Sequence, residues 1–296
     1  MNLKMTITEN KYISWLKKRG VRLFEGGGTK WILYQGALVP ALPFPAYYEP
    51  STKDAKLLLK ASGAWFIRYS TKPCDYKTPW WYVLCDHYDP KNLNATARRY
   101  IRRGKRECTV REVDAEWMAA NGYSCYAAAF ERYRGLKPVL DGDFKKMILD
   151  TLGGPFSYWA VFHEENLAGF CQCIIEGEMV STSLFKYHPS YLKHRSAYAL
   201  VDQLIQTYVV GKGMTLSNGN RSVVHKTKYQ DVLISIGFRR QFCRLKIVYK
   251  PWLKFCLDSL YPLRPLIGRL PDFRFIQKIK SLQFQDDIRR ASDRAI

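Results

Sequence analysis

Paired metal-ligand spacing is missing from this chain. Its eight cysteines, at 74, 85, 108, 125, 171, 173, 243 and 256, contain no C-x-x-C, so a zinc-ribbon or thioredoxin-type motif is excluded and no metal is expected. Six of the eight sit in apolar or aromatic settings, as buried free thiols of a reducing compartment do. No apolar run approaches the ~18 residues of a membrane span. The first residues lack a continuous apolar stretch of the secretory kind. A cytoplasmic protein is therefore expected, with at most peripheral contact at the inner face of the membrane. Acids are scarce beside bases, 26 against 47, which leaves a formal charge of +21. Histidine is scarce as well: the five, at 87, 163, 188, 194 and 225, form no visible Ser/His/Asp grouping.

What is abundant is apolar and aromatic: 47% and 15% of 296 residues, enough for ample core in one large domain or two small ones. The positive charge is concentrated. Arg98–Arg106 reads RRYIRRGKR, six cations in nine residues, and from Arg239 onward fourteen cations face five acids. Such a balance suits polyanions: tRNA or other RNA, phosphorylated small molecules, or an anionic leaflet. The basic run is also patterned. Leu93, Ala97, Tyr100, Ile101 and Gly104 form the stripe of an amphipathic helix. It lies between the strand-like WWYVLCD and CTVREV, so it belongs to a folded domain.

Three stretches follow from the start and stop signals. Residues 1–85 predict a small α/β unit: strands turning at Gly26–Gly28 and Gln35–Gly36, a helix from Ser51 or Thr52 to Gly63, then the strands AWFIRYS and WWYVLCD. Residues 86–250 predict the main domain. After the basic helix come a strand, one helix over about Ala115–Arg134, and a helical patch Gly142–Leu152. Three antiparallel strands follow (SYWAVFHEE, LAGFCQCIIEG, MVSTSLFKYHP), then helix, strand MTLSNGN, helix, and a single last strand RRQFCRLKIVYKP. The fold class is α+β with a mixed, largely antiparallel sheet. Residues 251–296 are a basic, aromatic, proline-broken extension, which predicts a cap on the domain or short pieces on a membrane interface.

This order resembles the acyl-CoA N-acyltransferase (GNAT) fold, and within it the FemAB-like branch of peptidoglycan-bridge aminoacyltransferases. Four stretches carry the likeness: RRYIRRGKRECTVREVD; AVFHEENLAGFCQCIIEGEMVSTSLFKYHPSY; SAYALVDQLIQTYVVGKGMTLSNG; and VLISIGFRR. They cover residues 80 to 250, and residues 1–80 would be a reduced counterpart of the other half of a pseudo-twofold pair. The resemblance implies an N-acyltransferase with acyl-CoA or aminoacyl-tRNA as donor and an amine on a cell-envelope or polysaccharide precursor as acceptor. One departure bears on the donor. The GNAT loop Q/R-x-x-G-x-G/A holds pyrophosphate on backbone N–H groups. Here the stretch is YLKHRSAYALV, with no glycine and with Tyr198 where the second should stand. Donor phosphates would then be held by Lys193, Arg195 and Ser196, or this is a solvated loop.

Amide-forming transfer needs a polarised carbonyl, a deprotonated amine and contact between them. Asn218–Thr227, NGNRSVVHKT, gathers varied donors around one glycine. Asn218, Asn220, Arg221 and Lys226 are the substrate-binding candidates, and His225 a proton carrier. Tyr187 and His188 close the third strand where the resemblance places the cleft, although His188 before Pro189 also reads as plain strand termination. Arg98, Arg99, Arg102 and Arg103 are either phosphate contacts or a solvated helix face. Two other readings stay open: a noncatalytic nucleic-acid-binding protein, and a degenerate acyltransferase scaffold.

Overall fold

Short β-branched and aromatic runs between glycine turns build twelve strands in the computed structural model, which describes residues 10–132, 136–223, 229–271 and 273–294. They are β1 (Leu23–Gly26), β2 (Thr29–Tyr34), β3 (Ala37–Pro40), β4 (Phe66–Ser70), β5 (Trp80–Cys85), β6 (Thr109–Val113), β7 (Phe156–His163), β8 (Asn166–Glu176), β9 (Met179–Tyr187), β10 (Thr215–Asn220), β11 (Arg239–Cys243) and β12 (Leu245–Tyr249). The helices are α1 (Lys11–Lys18), α2 (Thr52–Ser62), α3 (Ala95–Glu107), α4 (Ala115–Asn121), α5 (Tyr123–Ala129), α6 (Asp141–Leu149), α7 (Ser196–Leu204), α8 (Tyr229–Ser235), α9 (Pro251–Ser259), α10 (Arg264–Arg269) and α11 (Arg274–Arg294). The architecture is mixed α+β, as expected.

The chain folds as two compact units, each assembled from separate stretches. The smaller takes residues 17–82, 220–223 and 240–294. Its sheet has the order β1-β2-β3-β4-β12, antiparallel except for the β3–β4 step. Trp31, Leu38 and Ile67 are fully buried against α2 residues Ala55, Leu58 and Leu59. Ser51 caps α2 by accepting the Asp54 N–H at 3.1 Å, and Gly63 ends it in the left-handed region at φ 71°.

The larger unit takes residues 10–16, 83–219 and 229–239. Its strands run β5-β10-β9-β8-β7-β6. From β6 to β9 the pairing is antiparallel; β9 and β10 are parallel, with α7 as the crossover. A core of Met118, Phe144, Ile148, Tyr158 and Phe170 packs α4, α5 and α6 on this sheet. The basic run is helical, as its stripe predicts. Asn94 caps α3 through the Ala97 N–H at 2.8 Å, and Ala97, Ile101 and Gly104 are buried.

Two sequence expectations are corrected. The single helix over Ala115–Arg134 is two helices broken at Gly122, plus a 3-10 turn at Phe130–Arg132. A Cβ on Gly122 would stand 2.6 Å from the Met118 carbonyl, so glycine there lets the chain turn tightly over the preceding helix. The single last strand is two. Arg244 separates them, held by exchange with Thr71, whose N–H donates to the Arg244 carbonyl and whose hydroxyl accepts the Arg244 N–H, both at 3.0 Å. β12 then pairs with β4, from Leu245↔Ser70 to Tyr249↔Phe66.

Candidate active site

Parallel strands β9 and β10 stay in register only over Met179–Ser181 and Thr215–Ser217, and then part. A one-residue bulge sits just past that point: Cys173 opposes Thr182 while Gln172 opposes Leu184, leaving Ser183 extra on β9. The result is a wedge opening toward the C-terminal ends of both strands, the end at which open α/β sheets bind ligands. Residues 182–187 of β9 have no registered partner on β10 among the described residues, so the strand offers an extended backbone edge there.

Polar side chains brace the mouth of the wedge. The Thr182 hydroxyl donates to the Ser217 carbonyl at 3.1 Å, and the Asn218 amide donates to that hydroxyl at 2.9 Å. Ser183 donates to the Gln172 side chain at 2.7 Å, Gln172 to the Tyr158 hydroxyl at 2.6 Å, and Tyr158 meets Thr151 at 3.0 Å. An exposed bulge is thereby tied to buried groups and held in place.

The chain leaves β9 at Tyr187, makes a 3-10 turn over Pro189–His194, and starts α7 at the open end of the wedge. No side chain caps α7; its N-cap position is Arg195, in the left-handed region at φ 64°. Helix α3 packs onto this start. A Cβ on Gly104 would lie 2.7 Å from the Arg195 carbonyl and 3.0 Å from the Ala199 nitrogen, a spacing only glycine permits. Arg195 lies over the Tyr100 ring at 3.8 Å, and Tyr198 meets the same ring edge-on at 5.2 Å. Glu107 takes the loop from below: His194 lies 2.9 Å from one carboxylate oxygen and Arg103 donates to the other at 2.8 Å. Hydrogen bonds from Arg103, and then from His194, hold the Glu107 carboxyl down at about 2. The His163 and His194 rings stack at 3.6 Å.

The structure brings part of the expected set together. Tyr187 and His188 lie on and just beyond the free part of β9. Burial drives the Tyr187 phenol well above its usual range, against the smaller opposite pull of the Tyr229 hydroxyl, so Tyr187 stays protonated. His188 accepts the Ser190 N–H on Nδ1 at 3.3 Å, which puts the proton of a neutral ring on Nε2 and makes that atom a donor. Lys193 is exposed and Ser196 buried, its hydroxyl reaching the Tyr191 carbonyl at 3.4 Å. Arg221 is taken up elsewhere, donating to the Pro79 carbonyl at 2.6 Å and lying over Trp81 at 4.7 Å. Asn220 is a polar neighbour of the buried Tyr82 hydroxyl. His225 and Lys226 fall outside the described residues.

The cations of α3 are largely engaged. Arg98 donates to the Lys91 and Leu93 carbonyls, Arg103 and Arg106 pair with Glu107, and Lys105 pairs with the buried Asp202 at 3.1 Å. Arg99 lies beside Tyr100, and Arg102 lines a groove of about 540 Å³ with Tyr88, Lys105 and Asp202.

Sequence reasoning missed Lys186. It stands on the part of β9 beyond the β10 register, on the sheet face that carries α5, with its ammonium 4.2 Å from the Phe130 ring centre and 5.4 Å from that of Tyr126. Burial pulls its pKa below the usual lysine range. The signal was the alternation of MVSTSLFKYHP: Lys186 shares a face with the core residue Leu184, the wrong face for a solvated lysine.

Where the GNAT loop would carry its glycines, the α7 start carries Arg195, lying over Tyr100, and Tyr198, edge-on to the same ring. Among the described residues, no group of three or more His, Cys, Asp or Glu side chains is placed to hold a metal ion.

No protein-family model matches the sequence, and no curated protein matches it significantly. Solved structures do match in fold. The C-terminal domain of a candidate lysylphosphatidylglycerol synthetase from Agrobacterium fabrum is similar over 84% of this chain and 91% of its own, at 9% identity and a TM-score of 0.53. FemX is similar over 83% and 92%, at 11% identity and a TM-score of 0.52. L-PGS from Bacillus licheniformis is similar over 88% and 96%, at 14% identity and a TM-score of 0.50. With its parallel strands parted and its crossover helix uncapped, the chain shares the fold of these three structures.

Proposed function

We propose that the chain is a transferase that moves an acyl or aminoacyl group from an anionic donor to an amine on a cell-envelope precursor. The observation that carries this reading is the wedge between β9 and β10, open beside an uncapped helix start. The free edge of β9 can hold an amide-containing substrate by backbone hydrogen bonds, and the α7 start favours negative charge nearby. The missing glycine cradle argues for aminoacyl-tRNA over acyl-CoA, with Lys193, Arg99 and Arg102 as side-chain phosphate contacts. The fold shared with FemX and L-PGS is consistent with such a reading.

In the step proposed, the acceptor amine attacks the ester carbonyl, the C–N bond forms, the ester C–O bond breaks, and the amine's proton ends on the leaving 3′-oxygen of the tRNA. The Nε2–H of His188 suits donation to an oxygen that gains charge, and Lys186 places a cation beside it. Asn218 acts at one remove, by orienting Thr182. Peripheral attachment at the cytoplasmic face of a membrane belongs to the same reading; no described helix is long and apolar enough to cross one.

The test offers the protein labelled aminoacyl-tRNA and labelled acetyl-CoA with amine-bearing envelope precursors. Label should pass from tRNA, and Lys186→Met should cut the rate with the fold retained. Steeply salt-dependent RNA binding with no transfer from either donor would return the chain to the noncatalytic nucleic-acid reading. The engagement of four of the six α3 cations within the protein already speaks against that reading.

A further inference from the structure

Helix α10 is amphipathic the wrong way round for a surface helix of a soluble protein. Arg264 at its start points inward: it pairs with Asp286 and Asp287 of α11 and donates to the Gln283 carbonyl at 3.3 Å. Leu266 points out, exposed by 59%, and so do Leu263 and Leu270 at the two cap positions just outside the helix. Neighbouring Phe273 is 69% exposed, and on α9, Trp252 and Phe255 stand one turn apart at 54% and 72%. The other side of α9 is the packed one, through the buried Leu253 and Leu257. A soluble surface rarely leaves so many large apolar side chains together without a use for them.

A groove adjoins this face. Trp65 meets Trp252 edge-on at 6.3 Å, and its carbonyl accepts the Lys250 N–H at 3.0 Å. Trp65 and the exposed Tyr34 stand at the rim of a groove of about 690 Å³ whose lining includes Arg68 and Lys278. Arg68 donates to Gln285 at 2.7 Å, and no carboxylate pairs with it among the described residues. Burial lowers its pKa, the sign of a cation short of compensation. Arg269 and Lys254 lie on the exposed side of the same helices.

We infer that the α9–α10 face is a docking surface for an anionic phospholipid bilayer, with Arg68 and Lys278 receiving a headgroup phosphate in the groove behind Trp65. Aromatic and leucine side chains enter the headgroup–acyl boundary, and the surrounding lysines and arginines meet the anionic surface. A second copy of this chain fits less well, because two such faces would bring like charge together. The inference deepens the membrane attachment included in the proposed function by naming the surface that makes it; lipid binding is measured without any donor or acceptor, so it can fail or hold independently of transfer.

The experiment spins the purified chain with vesicles of phosphatidylcholine alone and of phosphatidylcholine mixed with phosphatidylglycerol. It should sediment with the mixed vesicles, less so as salt is raised. Phe255→Glu and Leu266→Glu, at exposed positions, should each lower partitioning about tenfold or more with unchanged circular dichroism. Arg68→Gln should remove the preference for phosphatidylglycerol and leave the weak binding to phosphatidylcholine. Brominated lipid should quench Trp252, read in the native chain against Trp252→Phe, which keeps the test valid if a glutamate variant misfolds. Failure to bind either vesicle, or a dimer dispersed by Phe255→Glu without vesicle binding, would overturn the inference. Vesicle binding with no acyl transfer would leave it standing and count against the transferase alone.

Discussion

The same strand–helix–strand step occurs in both units, and the two copies end differently. In the smaller unit β3 passes through α2 to parallel β4, with two registered pairs, Ala37↔Phe66 and Leu38↔Ile67. Beyond them the chain fills its own gap: Tyr47 returns to bridge Ser70 in parallel. The crossover helix α2 is also closed off, capped by Ser51 with Asp54 in its first turn. In the larger unit β9 passes through α7 to parallel β10, the strands part after Ser181 and Ser217, and α7 has no cap. One copy has satisfied its backbone from within. The other has neither a returning bridge beside its parted strands nor a side-chain cap on its crossover helix, and the proposed site rests on that contrast more than on any single residue.

Substitutions can press on each side of this contrast. The largest effects should come from the two cores, where Trp31→Ala and Phe144→Ala each remove a fully buried ring and should cost about 3–5 kcal/mol in denaturant titration. The contrast sharpens at two glycines. Gly104→Ala drives a methyl into the Arg195 carbonyl and should cost about 1–3 kcal/mol, displacing α3 from the α7 start. Gly63→Ala meets open space at positive φ and should cost only about 1 kcal/mol. Next comes Ser51→Ala, expected to cost about 1 kcal/mol by uncapping α2. A serine cap has no counterpart to lose at α7.

The smallest effect is one of pH. Glu107 titrates at about 2 when folded, below the ordinary 4.5, so its clamp on the His194 loop is complete above about pH 4.5 and fades as pH falls toward 2. Glu107→Gln should flatten the acid limb of the unfolding curve across that window. An unchanged limb would mean that the loop is held without it.

Periodicity made much of the fold legible: the α3 stripe, the α2 boundaries at Ser51 and Gly63, and the three-strand meander of β7, β8 and β9 all stand where their patterns put them. What stayed hidden was not written in period. The break at Gly122 depends on a tertiary approach to Met118, and the split at Arg244 carries no proline or glycine to announce it. Helix α11 escaped notice because part of its packed face is polar. The buried Asp286 receives Arg289 and Arg290 as well as Arg264, and although burial alone would raise its carboxyl, the arginines hold it below the usual range. Of the proposed site, Tyr187 and His188 could be named from the strand end; Lys186 went unnamed because a lone lysine in a strand carries no signal beyond the alternation, and a gap between two strands far apart in sequence leaves no local mark.

The cysteines, silent in the chemistry, grade the chain by depth. Cys171 and Cys173 project from the same face of β8 with their sulfurs 3.8 Å apart, fully buried, and burial drives the Cys171 thiol well up. Cys256 is exposed beside the outward face of α9, and Cys74 is half-buried. Thiol labelling should therefore proceed in steps: Cys256 at once, and the β8 pair only when the central sheet opens. The chain thus carries a built-in clock for its own unfolding, with its fast hand on the face assigned to lipid and its slow hand in the strand paired with β9.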